Sequence, residues 1–150
     1  MYELIQTGNR SFYINCPAKI GVFRIDGSRI CLIDSGSDKD AGRKVRQIMD
    51  REGWSLHAII NTHSNADHIG GNKYLQQQTG CKIYAKGVEA AFTSHPQLEP
   101  AFLYGGYPFK DLRHKFLMAP ESQVCDISAM AEDAALSELE LIPLPGHFFE

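Results

Sequence analysis

The sequence predicts an α/β fold with a mixed, mostly antiparallel sheet and helices on one face. Three features carry the expectation. Residues 21–25 and 29–33 flank Asp26-Gly27, a dipeptide that tolerates the positive φ angles of a tight hairpin turn. The second arm, Arg29-Ile30-Cys31-Leu32-Ile33, is continuously apolar after its first residue, as a strand in the middle of a sheet should be. An amphipathic helix and another apolar run then follow, and this strand–helix–strand order is that of a layered α/β arrangement.

Taken in order, residues 2–5 read as an opening strand and Gly8-Asn9 as a turn, with a second strand over 11–16. Ser37 with Asp40 has the spacing of a capping box. Ala41, Val45, Ile48 and Met49 recur at helical spacing behind it, with Lys39, Arg43, Lys44 and Arg46 on a solvated opposite face. Gly53 stops this helix, and residues 54–60 return as a strand. Residues 72–79 form a short helix stopped at Gly80, and 81–85 alternate like a strand. Residues 88–94 read as a brief helix ended by Pro96. From 96 to 114 the periodicity dissolves into an aromatic-rich loop, which either walls a pocket, covers a subunit contact or packs into the core. Residues 124–127 suit a short edge strand, 129–136 a helical turn or loop, and 139–144 a final strand before the Pro145-Gly146 turn.

The totals bound the class. The chain has 150 residues, with 43% hydrophobic and 22% charged, which suits one soluble globular domain spanning 1–150. A net charge of −3 gives no reason to expect nucleic acid or an anionic membrane as partner. No apolar run approaches the roughly 18 residues of a membrane span, and the N-terminus lacks the pattern of a signal peptide. Cys16, Cys31, Cys81 and Cys125 are widely spaced and form no Cys-x-x-Cys, so a reducing, cytoplasmic location is expected.

The chemistry concentrates between 61 and 71, where the strand over 54–60 ends. His63, Asp67 and His68 put two imidazoles and one carboxylate within six positions, a metal-site composition. Gly70 and Gly71 allow a sharp bend or a close backbone approach. A tetrahedral site wants three protein ligands and a water. His147 is the distant candidate, since it too follows an apolar run and a Pro-Gly turn. Asp34, at the end of an apolar strand, either accepts hydrogen bonds from the motif loop or is a plain strand-end residue. His57 reads as structural, and His95 and His114 as scattered surface histidines.

Thr62-His63-Ser64-Asn65-Ala66-Asp67-His68-Ile69-Gly70-Gly71 resembles the Thr-His-x-His-x-Asp-His-x-Gly-Gly motif of the metallo-beta-lactamase superfamily. Leu32-Ile33-Asp34-Ser35-Gly36 resembles that family's preceding strand-end motif, and Pro145-Gly146-His147 its Pro-Gly-His-Thr motif. The resemblance implies a four-layer αββα sandwich made of two similar halves. It also implies a metal-dependent hydrolase with two Zn ions per full domain, or Fe or Mn in their place. By that analogy His63 and His147 bind the first metal, and Asp67 and His68 the second. Asp67 also orients the nucleophilic water and is the catalytic residue.

Two positions depart from the family pattern. Asn65 stands where the family has its second histidine, and its amide oxygen is a weak neutral donor. Phe148 replaces the usual Thr or Ser, and either narrows the pocket or fills core. The sequence also stops three residues after His147, with no candidate for the family's bridging aspartate and final histidine. The expectation is therefore a truncated, N-terminal half of the family fold, its C-terminal part missing, its metal site partial and its own hydrolase activity little or none. The bare face of such a half sheet would be apolar and invite homo-oligomerisation. The substrate class is a small molecule carrying an ester, thioester, phosphoester or amide bond. The competing reading is a non-catalytic member that binds protein.

Overall fold

The computed structural model describes residues 2–149. One seven-stranded sheet runs through it, and its strands lie side by side in chain order. They are β1 (Glu3–Gln6), β2 (Ser11–Asn15), β3 (Ile20–Arg24), β4 (Arg29–Ile33), β5 (Ser55–Ile60), β6 (Lys82–Ala85) and β7 (Cys125–Asp126). β1 to β4 form an antiparallel meander, whereas β4, β5, β6 and β7 are parallel. The sheet is thus evenly mixed, because each step after β4 is a crossover long enough to return the chain to the same end. The carboxyl ends of β4, β5 and β6 therefore share one edge, the usual place for a site in an open α/β sheet.

The β3–β4 turn is built differently from the expectation. Neither Asp26 nor Gly27 takes a positive φ. Instead the Asp26 carboxylate accepts from the backbone N–H of Ser28 (3.1 Å) and Arg29 (2.9 Å) and from the Arg29 guanidinium (2.7 Å). These bonds hold its carboxyl down at about 2.

Five α-helices connect and cover the strands: α1 (Lys39–Glu52), α2 (Ala66–Ile69), α3 (Asn72–Thr79), α4 (Gly87–Ser94) and α5 (Leu98–Tyr104). The cap of α1 is Asp38, which accepts from Ala41 N at 2.9 Å, rather than Ser37. Ala41, Val45, Ile48 and Met49 are buried, as the periodicity requires, and Gly53 closes the helix at φ 69°. The basic face is solvated, with Arg43 and Arg46 on exposed ion pairs to Asp40 and Asp50. α5 occupies part of the stretch expected to be loop; Pro100, early in that helix, costs it little because first-turn N–H groups need no intrahelical partner.

Both faces of the sheet are covered, which corrects the expectation of a truncated half with helices on one face only. On one side Val45, Met49 and Leu75 from α1 and α3 pack with Ile14, Ile30, Leu32, Ile59 and Ile83. On the other, Cys31, Ala58, Ile60 and Tyr84 are buried by Met130 and Leu136. Those two come from 3-10 turns at Ile127–Glu132 and Ala134–Leu136. The second face thus finds its cover within the chain, and the expected reason for a second copy lapses. An irregularity in the β4–β5 register leaves His57 as an extra residue between Leu56 and Ala58. Its Nε2 lies 2.9 Å from Asp133, which also accepts from the Tyr84 hydroxyl (3.2 Å), and these bonds fasten the 3-10 segment to the sheet.

The expected strand over 139–144 does not form, and Leu141, Ile142 and Leu144 are exposed. Pro143 and Pro145 withhold two backbone donors that a ladder would need.

Candidate metal centre

Asp34 sits at the tip of β4 with φ 66°, the one non-glycine residue with positive φ among those described. This conformation is sparsely populated for side chains but tolerated by Asp. It turns a 4% exposed carboxylate across to the loop that follows β5. Oδ1 accepts from Thr62 N (2.8 Å). Oδ2 accepts from Thr62 Oγ1 (2.7 Å) and from His68 Nδ1 (2.7 Å).

These bonds determine both histidine tautomers. With Asp34 Oδ2 as acceptor, His68 Nδ1 carries the hydrogen and Nε2 is the nitrogen left to face a metal. The Thr62 hydroxyl spends its single hydrogen on Asp34. It must then accept from His63 Nδ1 at 2.9 Å, which leaves the His63 Nε2 lone pair free as well. Among the described residues, His63 Nε2 is a buried polar atom without a hydrogen-bond partner, a costly state that calls for an electrophile. The two rings lie 4.1 Å apart, centroid to centroid. Burial, with the His68 and His147 rings close by, pushes the His63 pKa down and keeps it neutral. The bond to Asp34 pulls the His68 pKa up.

Ligand atoms of Asp34, His63 and His68 all fall within 4.8 Å of one another, so a single cluster here could hold an ion. Both Asp34 oxygens are already occupied, however. The carboxylate fits the role of a partner that orients histidine ligands better than that of a ligand. The Nε2 atoms, which neither Asp34 nor Thr62 engages, suit a divalent transition metal.

The other residues singled out by sequence are placed as follows. Asp67 is in the first turn of α2, largely exposed, with Oδ2 3.7 Å from His68 Nε2. His147 is exposed, its ring 4.8 Å from that of His63 and nearly perpendicular to it. Asn65 precedes α2 without capping it, and its Nδ2 donates to Glu99 Oε1 at 2.8 Å. Gly70 and Gly71 have ordinary negative φ values, so what they supply is space. A Cβ at Gly70 would lie 2.2 Å from the Ser37 carbonyl carbon, and one at Gly71 2.3 Å from the Ser35 carbonyl oxygen. This approach lets Ser35 N donate to the His68 carbonyl (2.8 Å) and ties the motif loop to the β4 tip.

Two buried carboxylates escaped the sequence reading. Glu89 of α4, 1% exposed, accepts from Ser64 N (2.8 Å) and Ser64 Oγ (2.6 Å). Its other oxygen takes Phe149 N at 3.1 Å. Glu99 of α5, 5% exposed, accepts from Asn65 and from the Ala66 backbone N–H. Burial, opposed by those bonds, pushes its pKa up to about 7. The available signal was a single acid within each apolar stretch, Val88-Glu89-Ala90-Ala91-Phe92 and Pro100-Ala101-Phe102 preceded by Leu98-Glu99.

A cavity of about 510 Å³ opens beside His63 and His147, with Ile33, Ile60, Ile127 and Phe148 in its wall. Phe148 also packs edge-on against Phe92 and Phe102, so it lines the cavity and fills an aromatic cluster together. A larger cavity, of about 960 Å³, lies at the opposite ends of β6 and β7 around Lys82 and Ser122 and touches none of the imidazoles. Among the described residues no helix is long and apolar enough to cross a membrane.

Several known proteins are similar to parts of this chain. Hydroxyacylglutathione hydrolase of Methylococcus capsulatus is 44% identical over 39 residues, 26% of this chain and 15% of that protein. That of Rhodopseudomonas palustris is 41% identical over 56 residues, 35% of this chain and 22% of the other. A Cronobacter sakazakii metallo-beta-lactamase with a HARLDQ motif superposes with TM-score 0.66 at 17% identity, covering 83% of this chain and 46% of its own. BJP-1, a subclass B3 metallo-beta-lactamase of Bradyrhizobium japonicum, gives 0.61 at 21%, covering 81% and 43%. The matches thus span less than a quarter of these curated relatives and less than half of these solved chains. The family model for the metallo-beta-lactamase superfamily matches residues 14–148, nearly everything described, which overturns the reading of the resemblance as an N-terminal half only. With a match of that extent, the chain belongs to the metallo-beta-lactamase superfamily.

Proposed function

We propose that this protein is a metal-dependent hydrolase acting on a small-molecule thioester or related ester. The single observation that carries the reading is the pair of imidazoles whose Nδ1 atoms are both committed, through Asp34 and Thr62, leaving His63 Nε2 buried and unpartnered. His63 and His147 would hold one ion and Asp67 and His68 a second, with the amide oxygen of Asn65 as a further donor. Zinc is the expected metal, with Fe or Mn as alternatives. A bound divalent ion supplies Lewis acidity, polarising the scissile carbonyl and lowering the pKa of water. Asp67, whose carboxylate lies 3.7 Å from His68 Nε2, would accept a hydrogen bond from the attacking water and orient it. The apolar cavity beside His63 takes the acyl group and keeps bulk water from it. The thioester class is favoured because the similar proteins named above are hydroxyacylglutathione hydrolases.

Stripping the purified protein of metal and titrating Zn²⁺ by calorimetry tests the reading, followed by assays on thioesters, phosphoesters and lactams. Tight uptake, chelator-sensitive thioester hydrolysis, and loss of both in His63→Ala are expected. A folded protein that takes up no metal would overturn the proposal. It would then favour the second reading, a protein-binding member, to which the weak donor Asn65 already lends support.

A further inference from the structure

Asn65 is the motif position that departs most from the family pattern, and its side chain is held by a residue 34 positions away. Nδ2 donates to Glu99 Oε1 at 2.8 Å. Oδ1 accepts no hydrogen bond from any described residue. A carboxamide is planar, and its oxygen and nitrogen branch to opposite sides. Whichever group faces Glu99, the other is turned away from it. Glu99 Oε1 is the acceptor in this bond, so it takes the NH₂ side of the amide. The flipped amide would set its oxygen against Glu99 Oε1 and turn the NH₂ away from it. The selection matters because an amide nitrogen has no basic lone pair, whereas an amide oxygen can coordinate a cation.

We propose that Glu99 is a positioning residue that orients the Asn65 carboxamide, so that Oδ1 serves as an oxygen donor to the metal centre. The inference rests on the metal-site reading above. Glu99 thereby makes a neutral residue usable where a histidine would need no such help from its NH₂ side. The rival role is purely structural: Glu99 also accepts from Ala66 N and steadies the start of α2.

A double-mutant cycle on the metal-free protein separates the two. Zn²⁺ is titrated by calorimetry into wild type, Asn65→Ala, Glu99→Ala and the double variant, and Co²⁺ visible spectra are recorded for each. Each single change should weaken Zn²⁺ binding roughly 10- to 100-fold, the range for loss of a ligand's supporting partner. The double variant should bind no more weakly than Asn65→Ala alone. The Co²⁺ spectrum of Glu99→Ala should match that of Asn65→Ala. Glu99→Gln, which retains an acceptor oxygen, should recover most of the affinity. If Glu99→Ala fails to fold, Glu99→Met keeps the volume, removes the acceptor and replaces it in the cycle. Equal weakening by the Glu99 change with and without Asn65 would overturn the inference, as would an Asn65→Ala variant that binds Zn²⁺ like wild type. Absence of metal uptake by wild type would instead overturn the reading on which it rests.

Discussion

The two regions that bring histidines to the centre differ in how firmly they are held. The loop over 61–72 is tied at almost every position. Asp34 takes Thr62 and His68, Glu89 takes Ser64, Glu99 takes Asn65 and Ala66, and Asn61 and Asn72 bond to each other while buried. The segment over 137–149 joins no ladder, and His147 meets His63 through ring contact. Phe149 N on Glu89 is its anchor nearest the site. The difference teaches that one set of nitrogens is pre-oriented by a polar network, whereas the other is placed by apolar and aromatic packing. The first should resist perturbation until its geometry breaks; the second should be changed with little effect on stability.

The largest effect is expected where the motif loop meets the β4 tip. Gly70→Ala places a Cβ 2.2 Å from a backbone carbon that cannot swing aside. Urea unfolding should show a loss of about 3 kcal/mol or more. A loss below about 1 kcal/mol would mean that the contact between the two loops is slack.

Asp34→Ala comes next. It strands Thr62 and His68 donors that are now bonded and leaves a Cβ at positive φ without the polar side chain that tolerates it, so a loss of about 2 kcal/mol is expected. Zn²⁺ affinity should fall roughly 10- to 100-fold in the same variant, because both tautomers lose their determinant. Unchanged affinity would show that the histidines orient themselves.

A smaller effect concerns pH. The Glu99 carboxyl sits at about 7 in the fold against an ordinary 4.5. Between those values the folded state holds a proton that the unfolded chain has released, so stability declines as pH rises from 4.5 through 7. Chemical denaturation of metal-free protein across that range should show the decline, and Glu99→Gln should flatten it. A Gln variant with the same slope would assign the titration to another group.

His147→Ala should be mildest for the fold, within about 0.5 kcal/mol by thermal unfolding, because the ring is exposed. It should nonetheless weaken Zn²⁺ binding. A large stability loss would erase the contrast between the two regions.

Much of the fold was legible in short patterns. The helical spacing of Ala41, Val45, Ile48 and Met49 and the apolar run at 30–33 correspond to α1 and β4. What misled were segments whose outcome is decided elsewhere. Residues 139–144 have strand-like composition, but with prolines at 143 and 145 they join no sheet edge. The sheet face expected to stay bare is covered by Met130 and Leu136, from a stretch that looked equally like loop. The cap of α1 went to Asp38 instead of Ser37, a choice between adjacent residues that depends on backbone angles rather than composition.

The sequence by itself determined the donor chemistry: two imidazoles and a carboxylate within six positions, with an aspartate ready at another strand end and a histidine after the Pro145-Gly146 turn. Tertiary structure alone decided which nitrogens are free to bind. That decision belongs to Asp34, which also holds the Thr62 hydroxyl beside His63, and the loop's shape to Glu89 and Glu99; these three carboxylates lie 25 to 34 residues from the atoms they hold. Hydrogen bonds of that separation leave no periodicity in the chain. They exist only once the apolar faces of β4, β5 and β6 have packed and brought their carboxyl ends together.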